Sequence, residues 1–194
     1  MTKAAPPTST SSGAAATTIP VAASFPDAAS VDSKPAGATV APFGGGFAGA
    51  YSASQGGSLG SWLADLNKDP KAASAFVLDQ NKALQSPEGR QQFNQFLEAT
   101  RKDPEAAKLY LQVHSNALGS AEGKSAEAAH LKLIAADPKT SALQLDTITR
   151  GIPSRQASAY LGGLAQDKAS STAFASVQAR ATTTAEGRQS LRGL

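Results

Sequence analysis

His114 and His130 are the only imidazoles in the chain, and they stand sixteen residues apart. On successive helices they could approach each other across a hairpin, which raises the question of a metal site. A zinc-type site asks for about three or four protein ligands. No cysteine, third histidine or nearby carboxylate pattern accompanies the pair. Both rings are therefore expected as interface or half-exposed side chains. Gly119-Ser-Ala-Glu-Gly123-Lys124-Ser125 has the look of a phosphate cradle, but it holds three residues between its glycines. Such a loop holds about four and leaves a buried strand, and no Val/Ile run precedes this one. Its sister stretch Ser86–Arg90 lacks the pattern and fills the same slot, so both read as helix caps. The carboxylates are scattered, mostly at caps or paired along helix surfaces, as in Glu98 with Lys102. Nothing resembles a nucleophile, base and orienting group. The expectation is a non-enzyme with no catalytic, cofactor-binding or metal residues.

What would position any of these side chains is a regular interval. Asp69-Pro70, Asp103-Pro104 and Asp137-Pro138 recur at steps of 34 residues. Ser86-Pro87-Glu88-Gly89-Arg90 and Ser120-Ala121-Glu122-Gly123-Lys124 keep the same step. Thr184-Ala185-Glu186-Gly187-Arg188 is a further copy that falls off the strict period. Periods of about 20–50 residues mark stacked supersecondary units. Asp before Pro is a helix start: the carboxylate caps free N–H groups, and proline gives up a donor that had no partner. Ser86 and Ser120 repeat the logic, with Glu88 and Glu122 in the positive first turn. These marks predict helices over 58–68, 70–84, 87–102, 104–118, 121–136, 138–150, 154–166, 169–182 and 184–192.

Apolar spacing agrees. Leu59, Trp62, Leu63 and Leu66 share a face, which predicts a largely buried Trp62; Phe93, Phe96 and Leu97 share another. Residues 138–150 have some strand-like alternation around Leu143, Leu145 and Ile148, outweighed by the cap and the period. The Ala-, Ser- and Thr-rich final segments are expected to pack most loosely.

Residues 1–56 differ in kind. They hold six of the eleven prolines and four charges, Lys3, Asp27, Asp32 and Lys34. So few large apolar side chains cannot offset the entropy of ordering, and the stretch reads as a disordered tail before an all-helical domain over 57–194. Lys3 stands alone and Pro20 interrupts the apolar stretch 14–23, so there is no clear cleavable signal peptide. The localisation reads as cytoplasmic or exported. Phe43, Phe47 and Tyr51 recur every four residues among glycines, as a linker whose aromatics rest loosely on the body. No apolar run approaches the roughly 18 residues of a spanning helix.

Net charge is +3 with 17% of residues charged, too mild for a nucleic-acid footprint. The distribution is uneven. Residues 57–146 carry ten Lys/Arg against eleven Asp/Glu, whereas residues 147–194 carry six (Arg150, Arg155, Lys168, Arg180, Arg188, Arg192) against Asp167 and Glu186. That basic end reads as a solvated face.

Two resemblances follow. A pair of helices per 34 residues, with Asp-Pro closing each unit, resembles a tetratricopeptide-type repeat over about Trp62 to Pro138. Phe76 and Tyr110 fall where its first large aromatic belongs. Ala83 and Ala117 take the later slot of that helix, and Ala126, Phe96 and Ala99 match the second helix. Gln80 and His114 stand in place of the usual glycine, and Gln92 replaces the small residue. The resemblance implies helical hairpins, solenoid-like or gathered into a compact bundle, that bind a protein partner. The Ser/Thr/Pro-rich leader is similar in composition to those of type III-secreted bacterial proteins, which implies an exported effector. The expectation is thus a non-catalytic protein-interaction module, with the secreted bacterial effector as the alternative.

Overall fold

The computed structural model describes Met1 and residues 59–194. Among these residues there are nine α-helices and no strand. They are α1 (Leu59–Leu66), α2 (Pro70–Leu84), α3 (Pro87–Lys102), α4 (Pro104–Ala117), α5 (Ala121–Ala135), α6 (Pro138–Arg150), α7 (Arg155–Gln166), α8 (Lys168–Ala181) and α9 (Ala185–Leu191). The all-α class holds, and each expected helix is found within two residues of its expected bounds. The tail, including Phe43, Phe47 and Tyr51, lies outside the described residues.

The helices begin where the caps put them. Asp69, Asp103, Asp137 and Asp167 have extended backbones, and their carboxylates accept from first-turn N–H groups at 2.7–3.3 Å. Ser86, Ser120, Ser154 and Thr184 do the same through their hydroxyls at 2.9–3.1 Å. Aspartate and hydroxyl caps therefore alternate without exception from α2 to α9. The step between caps is 17 residues from Asp69 to Ser154, then 13 to Asp167, then 17 to Thr184. The 34-residue interval is thus two copies of a single-helix unit. The last Glu-Gly mark falls off the period because α7, at 12 residues, is about one turn shorter than the 15 of α5.

The Ser/Thr-Glu-Gly-basic mark is a junction. At Gly89, Gly123 and Gly187 a Cβ would lie 2.0, 1.8 and 2.2 Å from the carbonyl oxygens of Ala83, Ala117 and Ala181 in the helix before. Glycine lets the new first turn sit directly on the old last turn. Arg90 and Arg188 then donate to the carbonyls of Leu84 (3.1 Å) and Thr182 (2.7 Å), bringing positive charge to the negative end of the preceding helix. At α7 the link is longer, residues 151–154, and Ala157 replaces the glycine.

Packing follows a different interval. Each helix from α1 to α6 packs on the one three places later. Polar ties follow the same step. Asn67, after α1, donates to the carbonyl of Leu109 on α4 at 3.0 Å, and Asn81 on α2 to that of Ala126 on α5 at 3.0 Å. Asp146 on α6 accepts from Arg101 on α3 at 2.8 Å and from Ser190 on α9 at 3.2 Å. Helix α6 meets neighbours on several sides, so Thr140 to Leu145, Thr147 and Ile148 are all buried; that explains its strand-like alternation.

Trp62 keeps part of its surface exposed and packs against the core, edge-on to Phe76 at 5.4 Å, beside the buried Leu59, Leu63 and Leu66 of α1. One expectation is corrected: α8, far from loose, forms the most extensive helix pairing among the described residues, with α5. The small Ser170, Ala173, Val177 and Ala181 are its buried residues, and they allow a close approach.

Candidate functional site

The two histidines are where sequence reasoning and structure part most clearly. Both are completely buried, not half-exposed, and a buried carboxylate, Glu127, bonds one of them. The helical period puts Tyr110 and His114 on one face of α4, four residues apart, and Glu127 and His130 on one face of α5, three apart. Those faces meet in the core, joined by Asn81 from α2, Gln144 from α6 and Tyr160 from α7, all buried. Asn81 is 8% exposed and the other six are inaccessible to solvent.

Glu127 is the centre. One carboxylate oxygen lies 2.7 Å from Nδ1 of His114, and the other accepts from the Tyr160 hydroxyl at 2.7 Å. His130 places its Nδ1 3.1 Å from Oδ1 of Asn81, whose amide nitrogen is already donating to the carbonyl of Ala126. That bond fixes the proton of His130 on Nδ1. The rings of His114 and His130 lie 5.2 Å apart, and Tyr110 packs 4.5 Å from His114 while donating to Gln144 at 3.1 Å. Both Nε2 atoms are buried without a hydrogen-bond partner.

The electrostatics follow from burial. Desolvation pushes Glu127 up, but electrostatic attraction to His114 and the hydrogen bond it makes, a further attraction to His130 and the Tyr160 bond together hold it below its ordinary value. Burial pushes His130 down to about 3, against the pull of Glu127 and with the push of His114. Burial and then the Glu127 charge raise both Tyr110 and Tyr160. The result is an ionised carboxylate held by an imidazole and a phenol, with a neutral second imidazole alongside.

Such a set of groups could pass a proton, but it is closed off from solvent, and none of these residues lines any of the surface grooves described next. Among the described residues no group of three or more His, Cys, Asp or Glu is placed to hold a metal ion. Nδ1–H bonds to Glu127 and Asn81 are the supports a metal-binding imidazole has, yet Glu127 spends its two oxygens on His114 and Tyr160 and leaves neither to serve as a third ligand. Spacing held a signal for this, since Glu127 precedes His130 by three residues.

Three shallow grooves lie on the surface of the described residues. One of about 440 Å³ lies between α3 and α6, lined by Arg90, Asn94, Glu98 and Lys139. A second, of about 330 Å³, continues it towards α9 over Ala142 and Leu143, with Arg101, Asp146 and Glu186 at its edge. A third, of about 530 Å³, runs between α5 and α8 past Lys124, Lys132 and Asp167. Glu98 pairs across the first with Lys139 at 3.7 Å rather than along its own helix with Lys102. In the basic C-terminal quarter, Arg150 is 3.6 Å from Asp146 and Arg188 caps α8. The Gly119–Ser125 stretch is the cap of α5, with Ser120 accepting from Gly123.

No protein-family model matches the chain, and neither a curated protein nor a solved structure matches it significantly.

Proposed function

We propose that residues 57–194 form a non-catalytic protein-interaction module. One observation carries this reading: the continuous groove along α3, α6 and α9, with Ala142 and Leu143 beneath and Glu98, Arg101, Lys139, Asp146 and Glu186 around it. Small apolar patches rimmed by charge of both signs suit a partner of complementary pattern, with the rim setting register and specificity. Charge reversal at exposed rim positions tests it. In the full chain, the double change Glu98→Lys with Lys139→Glu keeps their mutual pairing, whereas Lys139→Glu alone inverts the rim. A partner captured by the wild-type chain should be lost with Lys139→Glu at unchanged melting temperature. A partner held equally by all three chains removes the groove from the reading, and the lack of any chain-dependent partner removes the module.

A second reading, a secreted bacterial effector, is favoured by the composition of residues 1–56, with six prolines and four charges. Export of a reporter fused to those residues from a secretion-competent bacterium supports it, and retention of the reporter counts against it.

A further inference from the structure

Every hydrogen-bonding position of the buried cluster that faces a partner is filled in one protonation state and in no other. Glu127 accepts with both oxygens, from Tyr160 and at His114. A proton added to the carboxyl would displace one of these two donors. His130 donates through Nδ1 to Asn81, which is itself tied to Ala126. A proton added at Nε2 of His130 would be a buried N–H with no acceptor, since that atom has none within reach. An unpaired buried charge is among the costliest defects a core can hold.

Among the groups facing His130 only the Glu127 charge favours a second proton, and none offers that proton an acceptor. On its own helix stands Glu127, already committed twice; from α4 comes His114, and the phenols of Tyr110 and Tyr160 lie behind it, against His114 and Glu127. Helix α2 brings the neutral Asn81 and α3 the ring of Phe93, edge-on at 5.5 Å. The buried residues of α6 and α8, which also pack on α5, include no ionisable group.

From this closure we infer that the cluster is a proton-operated latch: at neutral pH it ties α2, α4, α5 and α7 together, and acid releases them. The direction follows from linkage. His130 is held down to about 3 in the fold against an ordinary value near 6.5, so its contribution is complete above about pH 6.5 and is lost as pH falls toward 3. Glu127, also held below its ordinary value, adds a loss of the same sign at lower pH. Near pH 5 the unfolded chain holds about one more proton at His130 than the folded one, so the unfolding constant rises about tenfold per pH unit from this residue alone. The inference does not depend on what the surface grooves bind.

The test is urea unfolding of the full chain at pH 7.5, 6.0, 5.0 and 4.0, wild type against His130→Gln, whose amide can still donate to Asn81. The expected result is that the wild-type unfolding constant rises about a hundredfold more than the variant's between pH 6.0 and 4.0. Parallel curves overturn the latch. If His130→Gln does not fold, imidazole NMR of the wild type decides. His130 remaining neutral with its proton on Nδ1 in native protein at pH 5 supports the latch, and its titration near pH 6.5 in the folded protein overturns it.

Discussion

At the residue scale the clearest commitments are the caps and the glycines behind them. Asp69, Asp103 and Asp137 each satisfy one or two first-turn N–H groups, and the following proline fixes the backbone for helix entry. Each Asp→Ala should cost about 0.5–2 kcal/mol in urea unfolding, and the three losses should add within about 0.5 kcal/mol because the sites share no partner. The junction glycines should matter more. Helix propensity favours Gly→Ala by about 1 kcal/mol, but at Gly89 and Gly123 the added methyl meets a backbone carbonyl that cannot turn aside. Overpacking wins, and Gly89→Ala or Gly123→Ala should each destabilise by about 1–3 kcal/mol, measured in the same assay. An improved midpoint at either would show that the junction yields. These features were legible in the sequence because a cap is local: Asp-Pro and Ser-x-Glu-Gly state their own geometry within four residues. The Glu127 cluster was not, although its residues were in plain view. Which faces of α2, α4, α5 and α7 converge depends on how the helices are rotated against one another, and residue types alone do not fix that.

Among elements, the informative mismatch is between the interval of the sequence and the interval of packing. Caps alternate every second helix, while each helix rests on the one three places on. The repeat in the sequence reports how a helix starts; it carries no record of what the helix will touch. Asp146 shows the second kind of bond, since it gathers Arg101 from α3, Arg150 of its own helix and Ser190 from α9. With side chains 33% and 19% exposed, the Arg101–Asp146 pair is screened only in part. Asp146→Ala should cost about 1–3 kcal/mol in unfolding free energy, more than removing the exposed Lys68–Asp65 pair, which should cost below about 1 kcal/mol. Equal effects would mean that α9 does not depend on this tie.

For the described residues together, ties that skip two helices leave no segment free to unfold without its neighbours. Residues 59–194 should therefore lose helicity and tertiary packing in one transition, with far-UV circular dichroism and tryptophan fluorescence tracing the same urea curve. Two separated midpoints, the later one retaining helix, would show that α7–α9 stand apart from α1–α6. Among the described residues no helix is long and apolar enough to cross a membrane. The two charge-balanced and basic stretches seen in the sequence meet through Asp146 and Arg150, so the excess positive charge is partly answered inside the fold.

The two intervals also bear on how such a chain can be copied or cut. Alternation by two and stacking by three fall back into step only after six helices. As a result every packed pair three helices apart, from α2 onward, joins an aspartate-started helix to a hydroxyl-started one. Splicing in a single unit would set like against like at the contacts that span the insertion, whereas inserting two would keep the alternation and change only the partners across the splice. A cassette of six would preserve both, which makes it the natural unit for lengthening this protein by design. The four residues missing before Asp167 illustrate the milder edit that the scheme tolerates, a helix clipped by one turn with the order of starts left intact.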